Sequence, residues 1–108
     1  MQPSPVRGEI WLIDLRMAQK ARPGLILSVA FLDHERAVVT YVPRTTAIRG
    51  TRFEISHQAR GFAPGVFDPQ GIGSVPTAKL IRRLDSLDRA MVEKVETSVK
   101  RWLGMAAL

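Results

Sequence analysis

Cysteine, histidine and long apolar runs are all scarce in this chain of 108 residues. The absence of cysteine excludes a disulfide framework, a thiolate zinc site and a cysteine nucleophile. No apolar run approaches the roughly 20 residues that a membrane-spanning helix needs. Residues 1–6 also lack the apolar core of a secretion signal. We therefore expect a cytoplasmic protein that makes no membrane contact.

Side chains that bind metals are equally sparse. The two histidines, His34 and His57, fall in separate predicted loops and lack the paired spacing that is typical of a zinc or manganese site. Exposed loop positions are the ordinary interpretation of both residues, and a catalytic role is the alternative. The sequence therefore predicts no metal and no cofactor.

Positive charge, in contrast, is abundant. The formal net charge is +6 and the sequence pI is about 10.8. This balance favours a polyanionic partner, first a nucleic acid and second an acidic protein, with a charge that only aids solubility as the alternative. A content of 45% hydrophobic residues is that of one folded domain, which we assign to residues 1–108. Because so small a domain buries a modest fraction of its surface, we expect a homodimer.

Short β-prone segments separated by turns indicate a mainly β fold. We predict five strands, at residues 8–15, 23–30, 37–42, 52–56 and 79–84. The second and third strands are expected to form a hairpin, and in the fourth Phe53 and Ile55 would share one face. Residues 61–76 contain four glycines and three prolines, which limits strands there to short pieces and indicates the bends of a small barrel.

The C-terminal segment changes its hydrophobic period from two to about 3.6 residues. Residues 88–103 place five apolar side chains on one stripe, namely Val92, Val95, Val99, Trp102 and Leu103. This pattern predicts an amphipathic helix that packs on the core, with Asp88 as its N-cap and Gly104 at its C-terminal end. The expected architecture is a curled antiparallel barrel closed by this helix.

Three motifs follow one another in the first half of the chain. They are Arg-Gly-Glu-Ile-Trp at residues 7–11, Arg-Pro-Gly-Leu-Ile-Leu-Ser at 22–28, and Val-Pro-Arg-Thr-Thr at 42–46 with Phe-Glu-Ile at 53–55. A weaker motif, Gly-Val-Phe-Asp-Pro-Gln, lies at residues 65–70. In their joint order and spacing these motifs resemble the MazF/PemK family of toxin ribonucleases. The resemblance implies an SH3-like or CcdB-like barrel.

The same resemblance implies a function. It implies the toxin of a type II toxin–antitoxin system, an endoribonuclease or mRNA interferase that an acidic antitoxin holds in check. It further implies a homodimer with single-stranded RNA along the interface groove. Cleavage would use the RNA's own 2'-hydroxyl, would leave a 2',3'-cyclic phosphate and a 5'-hydroxyl, and would need no metal.

Three residues are candidates for catalysis. Arg22 matches the family's Arg-Pro arginine, which contacts the scissile phosphate, and Thr45 matches the family's threonine, whose hydroxyl can donate to a phosphate oxygen. Asp68 is the third candidate, as a base or as the group that holds one. The alternatives are a surface arginine at a strand entrance, a strand-end threonine and a turn-forming aspartate before proline.

Five further residues are expected to contact RNA, namely Thr46, Arg44, Gln19, Arg49 and Gln70. For Thr46 and Arg44 the alternatives are a turn residue and a solvated charge. The sequence departs from the family twice: Gln19 is the sole partial match to a Glu-Gln pair in a longer family loop, and Asp68-Pro69-Gln70 replaces the family's Asp-Gln. The second departure leaves the general base and the general acid open.

Two other functions are compatible with these motifs. Toxins that poison DNA gyrase resemble this fold and have no nuclease activity, and an inactive relative would bind only RNA or antitoxin. Arg22 together with Thr45 favours the nuclease, because a gyrase poison needs no phosphate-binding pair at that place. The displaced carboxylate at Asp68 leaves the inactive relative open.

Overall fold

The computed structural model describes residues 4–16 and 20–105, which form a seven-stranded sheet and one α-helix. The strands are β1 (Glu9–Arg16), β2 (Lys20–Ile26), β3 (Val38–Thr45), β4 (Ile55–His57), β5 (Gly65–Phe67), β6 (Gly73–Pro76) and β7 (Leu80–Ser86). The helix α1 spans Arg89–Trp102. No helix within the described ranges is both long and apolar enough to cross a membrane.

The sheet is antiparallel and curled. Its strands follow the order β4-β5-β3-β2-β1-β7, with β6 beside the first half of β3. The hairpin of β2 and β3 forms as predicted, with Leu25 opposite Val42. In the described part of the chain β4 and β7 end the path without pairing with each other, so the sheet stays open. The predicted curled antiparallel sheet with a C-terminal helix is confirmed.

Two apolar clusters lie on opposite faces of the sheet, because successive strand residues such as Leu25 and Ile26 belong to different clusters. One face packs against α1 and its cluster contains Ile10, Leu25, Val42, Phe67, Val95 and Val99. The cluster on the other face contains Ile13, Ile26, Val39, Tyr41 and Leu80. The sheet is therefore buried on both sides at its centre.

The helix begins and ends where the sequence predicts. The Asp88 carboxylate accepts the Met91 N–H at 2.8 Å, and Gly104 has a φ of 73° beyond the C-terminal end. The predicted apolar stripe is buried only in part, since Trp102 and Leu103 are 41% and 49% exposed. The Trp102 ring meets only the edge of the Phe53 ring, with centroids 5.4 Å apart.

The predicted strand bounds shift at two places that shape the site. Strand β3 continues to Thr45, because Arg44 and Thr45 pair with β5 after Tyr41 has paired with β6. The fourth strand, predicted over 52–56, begins only at Ile55. The Glu54 carboxylate accepts the N–H groups of residues 49–51 at 2.7–3.2 Å, and this closes a loop where a strand was expected.

Candidate active site

One cavity brings several predicted site residues together. It has a volume of about 440 Å³, and its wall includes Arg22, Thr45, Arg49 and Asp68. We call the cavity around these four residues the cleft. Other cavities of about 380 to 460 Å³ lie elsewhere on the protein, so size does not distinguish the cleft. Its side chains do.

The cleft is assembled from three strands and two loops, and β1 contributes Leu15. Strand β2 contributes Arg22, and β3 contributes Tyr41, Pro43 and Thr45, which share one face because strand side chains alternate. The loop after β3 contributes Arg49, and the segment after β5 contributes Asp68. Residues as far apart along the chain as Arg22 and Asp68, which are 46 positions apart, therefore meet in one site.

Tyr41 is a cleft residue that the sequence analysis did not single out. Its ring lies against Gly24, where an added Cβ would stand 3.0 Å from Tyr41 Cδ2 and 2.7 Å from Ile13 Cδ1. The glycine of the Arg-Pro-Gly motif thus makes room for this ring beside Arg22. Burial raises the pKa of Tyr41, so its hydroxyl remains protonated at neutral pH. The alternation of side chains along a strand, which places Tyr41 on the same face as Thr45, was the feature of the sequence that could have identified it.

The guanidinium of Arg22 has no internal partner within the described part of the chain and borders the cleft. The residue is exposed, and among the described residues no side chain or carbonyl forms a hydrogen bond or an ion pair with its guanidinium. A guanidinium offers five N–H donors in a planar fork that matches two oxygens of a phosphate. Arg22 can therefore take an external anion without breaking an internal contact.

The hydroxyl of Thr45 is oriented by the chain that follows it. Thr45 Oγ1 accepts the Ala47 N–H at 3.0 Å. A hydroxyl has two acceptor positions and one proton, so Thr45 still has its proton to donate. Thr46 is exposed and its carbonyl accepts the Ile48 N–H at 3.1 Å, which places it in the turn beyond the strand.

The carboxylate of Asp68 caps a turn and also faces the cleft. Its Oδ1 accepts the Gln70 N–H at 3.2 Å and so caps the 3₁₀ turn Pro69–Gly71. Its Oδ2 lies 3.5 Å from Arg49 Nη1, in an ion pair whose two side chains are 13% and 71% exposed. Asp68 therefore forms the turn and also lines the cleft.

Arg44 is adjacent to Thr45 but its side chain is directed into the protein. The residue is 4% exposed. Its Nε donates to His57 Nδ1 at 2.7 Å, and its Nη2 donates to the carbonyls of His57 and Ala63 at 3.0 and 2.6 Å. Arg44 thus forms part of the cleft wall while its guanidinium is engaged inside, on the same side of β3 as the buried Val42.

His57 differs from the expectation of an exposed loop residue. It ends β4 and is 4% exposed. Its ring contacts the rings of Phe62 and Phe67, with centroids 5.3 and 4.8 Å apart. His57 is therefore a core residue, because β4 pairs with β5 and turns this side chain inward.

The two remaining predicted RNA contacts are Gln70 and Gln19. Gln70 is exposed on the 3₁₀ turn, and only its backbone N–H contacts Asp68. Gln19 lies outside the described residues. In the described ranges no three histidine, aspartate or glutamate side chains gather as a metal site would require.

Comparison with known proteins places this site in a family. A family model for PemK-like, MazF-like toxins of type II toxin–antitoxin systems matches residues 6–103. An endoribonuclease from Mycobacterial species has a TM-score of 0.81 and 23% identity, and the match covers 100% of this chain and 99% of that chain. An endoribonuclease in complex with its cognate antitoxin, also from Mycobacterial species, has a TM-score of 0.77 and 23% identity over 97% of this chain and 98% of that chain. The Mycobacterium tuberculosis toxin MazF-mt6 has a TM-score of 0.78 and 25% identity over 92% and 99%. Because the family match spans most of its length, this chain belongs to the PemK-like, MazF-like toxins of type II toxin–antitoxin systems.

Proposed function

We propose that this toxin is an endoribonuclease that cleaves single-stranded RNA without a metal. The observation that carries the proposal is the cleft, in which Arg22, Thr45, Arg49 and Asp68 line one cavity of about 440 Å³. The likeness in fold to a mycobacterial endoribonuclease supports it. A cleft for gyrase binding would not need a guanidinium without internal contacts beside an oriented hydroxyl.

The proposed reaction is an internal transfer of the phosphoryl group. The RNA 2'-oxygen forms a bond to the adjacent phosphorus, and the bond from phosphorus to the 5'-oxygen breaks. A base takes the proton of the 2'-hydroxyl, and an acid gives a proton to the leaving 5'-oxygen. The products are a 2',3'-cyclic phosphate and a 5'-hydroxyl. Charge on the remaining phosphate oxygens peaks in between, so fixed donors at those oxygens lower the barrier.

The cleft residues divide these tasks. We assign the phosphate oxygens to the Arg22 guanidinium and to the Thr45 hydroxyl, which Ala47 N–H already orients. Asp68 Oδ2 is the carboxylate oxygen that pairs with Arg49 in the cleft, and we assign the role of the base to it. Arg49 would then exchange Asp68 for a phosphate of the bound RNA.

The proposal includes two protein partners. The net charge of +6 favours an acidic, extended antitoxin segment that covers the RNA cleft. A mycobacterial endoribonuclease of this fold is known in complex with its cognate antitoxin. A second copy of the chain would complete the groove as a homodimer, which analytical ultracentrifugation tests directly. Action on mRNA would place the protein in the cytoplasm.

The test is cleavage of a long single-stranded RNA by the purified protein in excess EDTA, with the new 5' ends mapped. We expect cuts with 5'-hydroxyl and cyclic-phosphate ends, and we expect an acidic antitoxin to stop them. Activity that disappears in EDTA and returns with a divalent metal would contradict the mechanism. A folded protein that binds RNA and leaves it intact would identify an inactive relative.

A further inference from the structure

A buried pair of cationic and titratable side chains lies directly behind Thr45. Arg44, the residue before Thr45, donates from Nε to His57 Nδ1 at 2.7 Å, and both residues are 4% exposed. The guanidinium also lies 4.9 Å from the centroid of the Phe62 ring. No step of the proposed reaction uses this pair, although it is adjacent to the cleft.

The geometry fixes the protonation state of His57. An imidazole nitrogen that accepts a hydrogen bond has no proton, so neutral His57 must have its proton on Nε2. Protonation of Nδ1 would replace the accepted bond with two N–H groups that face each other, and it would place two cations in contact in a buried site. The observed contact with Arg44 and a charged His57 are therefore mutually exclusive.

The charges around His57 come from three elements. Arg44 on β3 opposes protonation, whereas Asp85 on β7 favours it. Asp88, which precedes α1, lines the same cavity as His57 and Asp85. Phe62 and Phe67, which flank the ring, carry no charge. Desolvation and Arg44 outweigh Asp85, so the pKa of His57 lies below its ordinary value of 6.5.

Tight packing connects this pair to the cleft. Arg44 and Thr45 pair with β5, and an added Cβ on Gly65 would stand 2.5 Å from the Thr45 carbonyl oxygen and 2.8 Å from Arg44 Nη1. The guanidinium and the Thr45 backbone therefore both approach Gly65 closely. Through this shared contact, a displacement of Arg44 is expected to reach the end of β3, which carries the Thr45 hydroxyl.

We propose that Arg44 and His57 are positioning residues for Thr45 and form an acid-sensitive latch, in which protonation of His57 breaks the bond from Arg44 and displaces Thr45. This inference rests on the proposed nuclease function for its effect on activity. The latch is closed at neutral pH, and cleavage is lost as the pH falls through the pKa of His57.

The first test is NMR of the full chain across an acid titration. Because the chain has only two histidines, nitrogen-detected spectra resolve both, with His34 as the internal reference. We expect His57 to be the Nε2–H tautomer at neutral pH, and we expect the Thr45 amide signal to move with the titration of His57. A His57 that protonates without any change at Thr45 overturns the inference, whether or not the protein cuts RNA.

The second test compares pH profiles of RNA cleavage. His57→Asn keeps an acceptor near the position of Nδ1 but does not titrate, so its rate should fall less than the wild-type rate over the pH range in which His57 becomes protonated. One pH unit below the His57 midpoint about nine tenths of the imidazole is protonated, so the wild type should retain about a tenth of its rate. His34→Asn is the matched control and should keep the wild-type profile. Equal acid losses in wild type and His57→Asn overturn the latch.

The two tests separate the latch from the proposed function. If no variant cuts RNA at any pH while Thr45 still follows His57 in the spectra, the nuclease proposal fails and the latch stands. If His57→Asn does not fold, the wild-type titration decides alone.

Discussion

Two arginines on neighbouring strands border the same cleft and have opposite environments. Arg22 on β2 is exposed, and within the described chain its guanidinium has no hydrogen bond or ion pair. Arg44 on β3 is 4% exposed and donates to His57 and Ala63. The same functional group is therefore available to an external ligand in one place and holds two internal segments together in the other.

The physical basis of this difference is desolvation. A guanidinium that leaves water loses hydration, and only good internal acceptors offset that loss. Arg44 has such acceptors, and burial still lowers its pKa. Arg22 remains hydrated, so folding does not depend on it and a phosphate can replace its water. We therefore expect a substitution of Arg44 to lower stability and a substitution of Arg22 to lower the rate of RNA cleavage.

The largest effect should come from Arg44→Met. The substitution removes the donors of a buried network and leaves His57 Nδ1 and two carbonyls without their partner. We expect the free energy of unfolding to fall by about 3 kcal/mol, the scale seen when one partner of a buried pair is removed. Denaturant unfolding at neutral pH measures it. Arg22→Met is the matched control and should change stability by less than about 0.5 kcal/mol. Equal stabilities would erase the distinction between the two arginines.

The next effect concerns rate. Arg22→Ala should lower the RNA cleavage rate on the order of a hundredfold, as expected when one preorganised donor to a transition-state charge is removed. RNA affinity should fall much less, and circular dichroism should show an intact fold. Thr45→Val should also slow cleavage, and the double mutant should lose less than the product of the single losses if both groups hold one phosphate. A folded Arg22→Ala protein that cuts at the wild-type rate would remove Arg22 from the mechanism.

The sequence predicts well those features that depend on near neighbours. The helix was predictable because its cap, its period and its C-terminal glycine all lie within residues 88–104. The cleft was predictable in part, since Arg22 and Thr45 belong to motifs and Asp68 precedes a proline in a turn. The alternation of side chains along β3 also places Arg44 on the side of Val42 and away from Thr45. Matching Arg44 to a family motif does not take this orientation into account.

The rest depends on contacts between distant residues. The burial of Arg44 requires His57, which is 13 residues away in the sequence. The pairing of β4 with β5 brings His57 beside Arg44. The loss of strand structure at 52–54 depends on Glu54, whose carboxylate binds backbone N–H groups of the preceding loop. Neither side-chain partner is visible in hydrophobic periodicity or motif spacing.

The smallest effect should come from Arg49, the second exposed arginine of the cleft. Its pair with Asp68 spans 3.5 Å and its side chain is 71% exposed. Such a pair contributes little, so Arg49→Ala should change the free energy of unfolding by less than about 0.5 kcal/mol. If Arg49 binds a phosphate, its loss should reduce the slope of log affinity against log salt by about 0.7.

The measurement is a salt titration of binding to 2'-O-methyl RNA, which lacks the attacking hydroxyl and stays intact. Arg52→Ala is the control, because Arg52 lies three residues away, packs on the Phe53 ring and borders a different cavity. We expect the control to keep the wild-type slope and Arg49→Ala to lose one phosphate contact. If both variants keep the slope, Arg49 only pairs with Asp68, and Arg22 is then the sole cleft arginine of the described chain that is available to the RNA backbone.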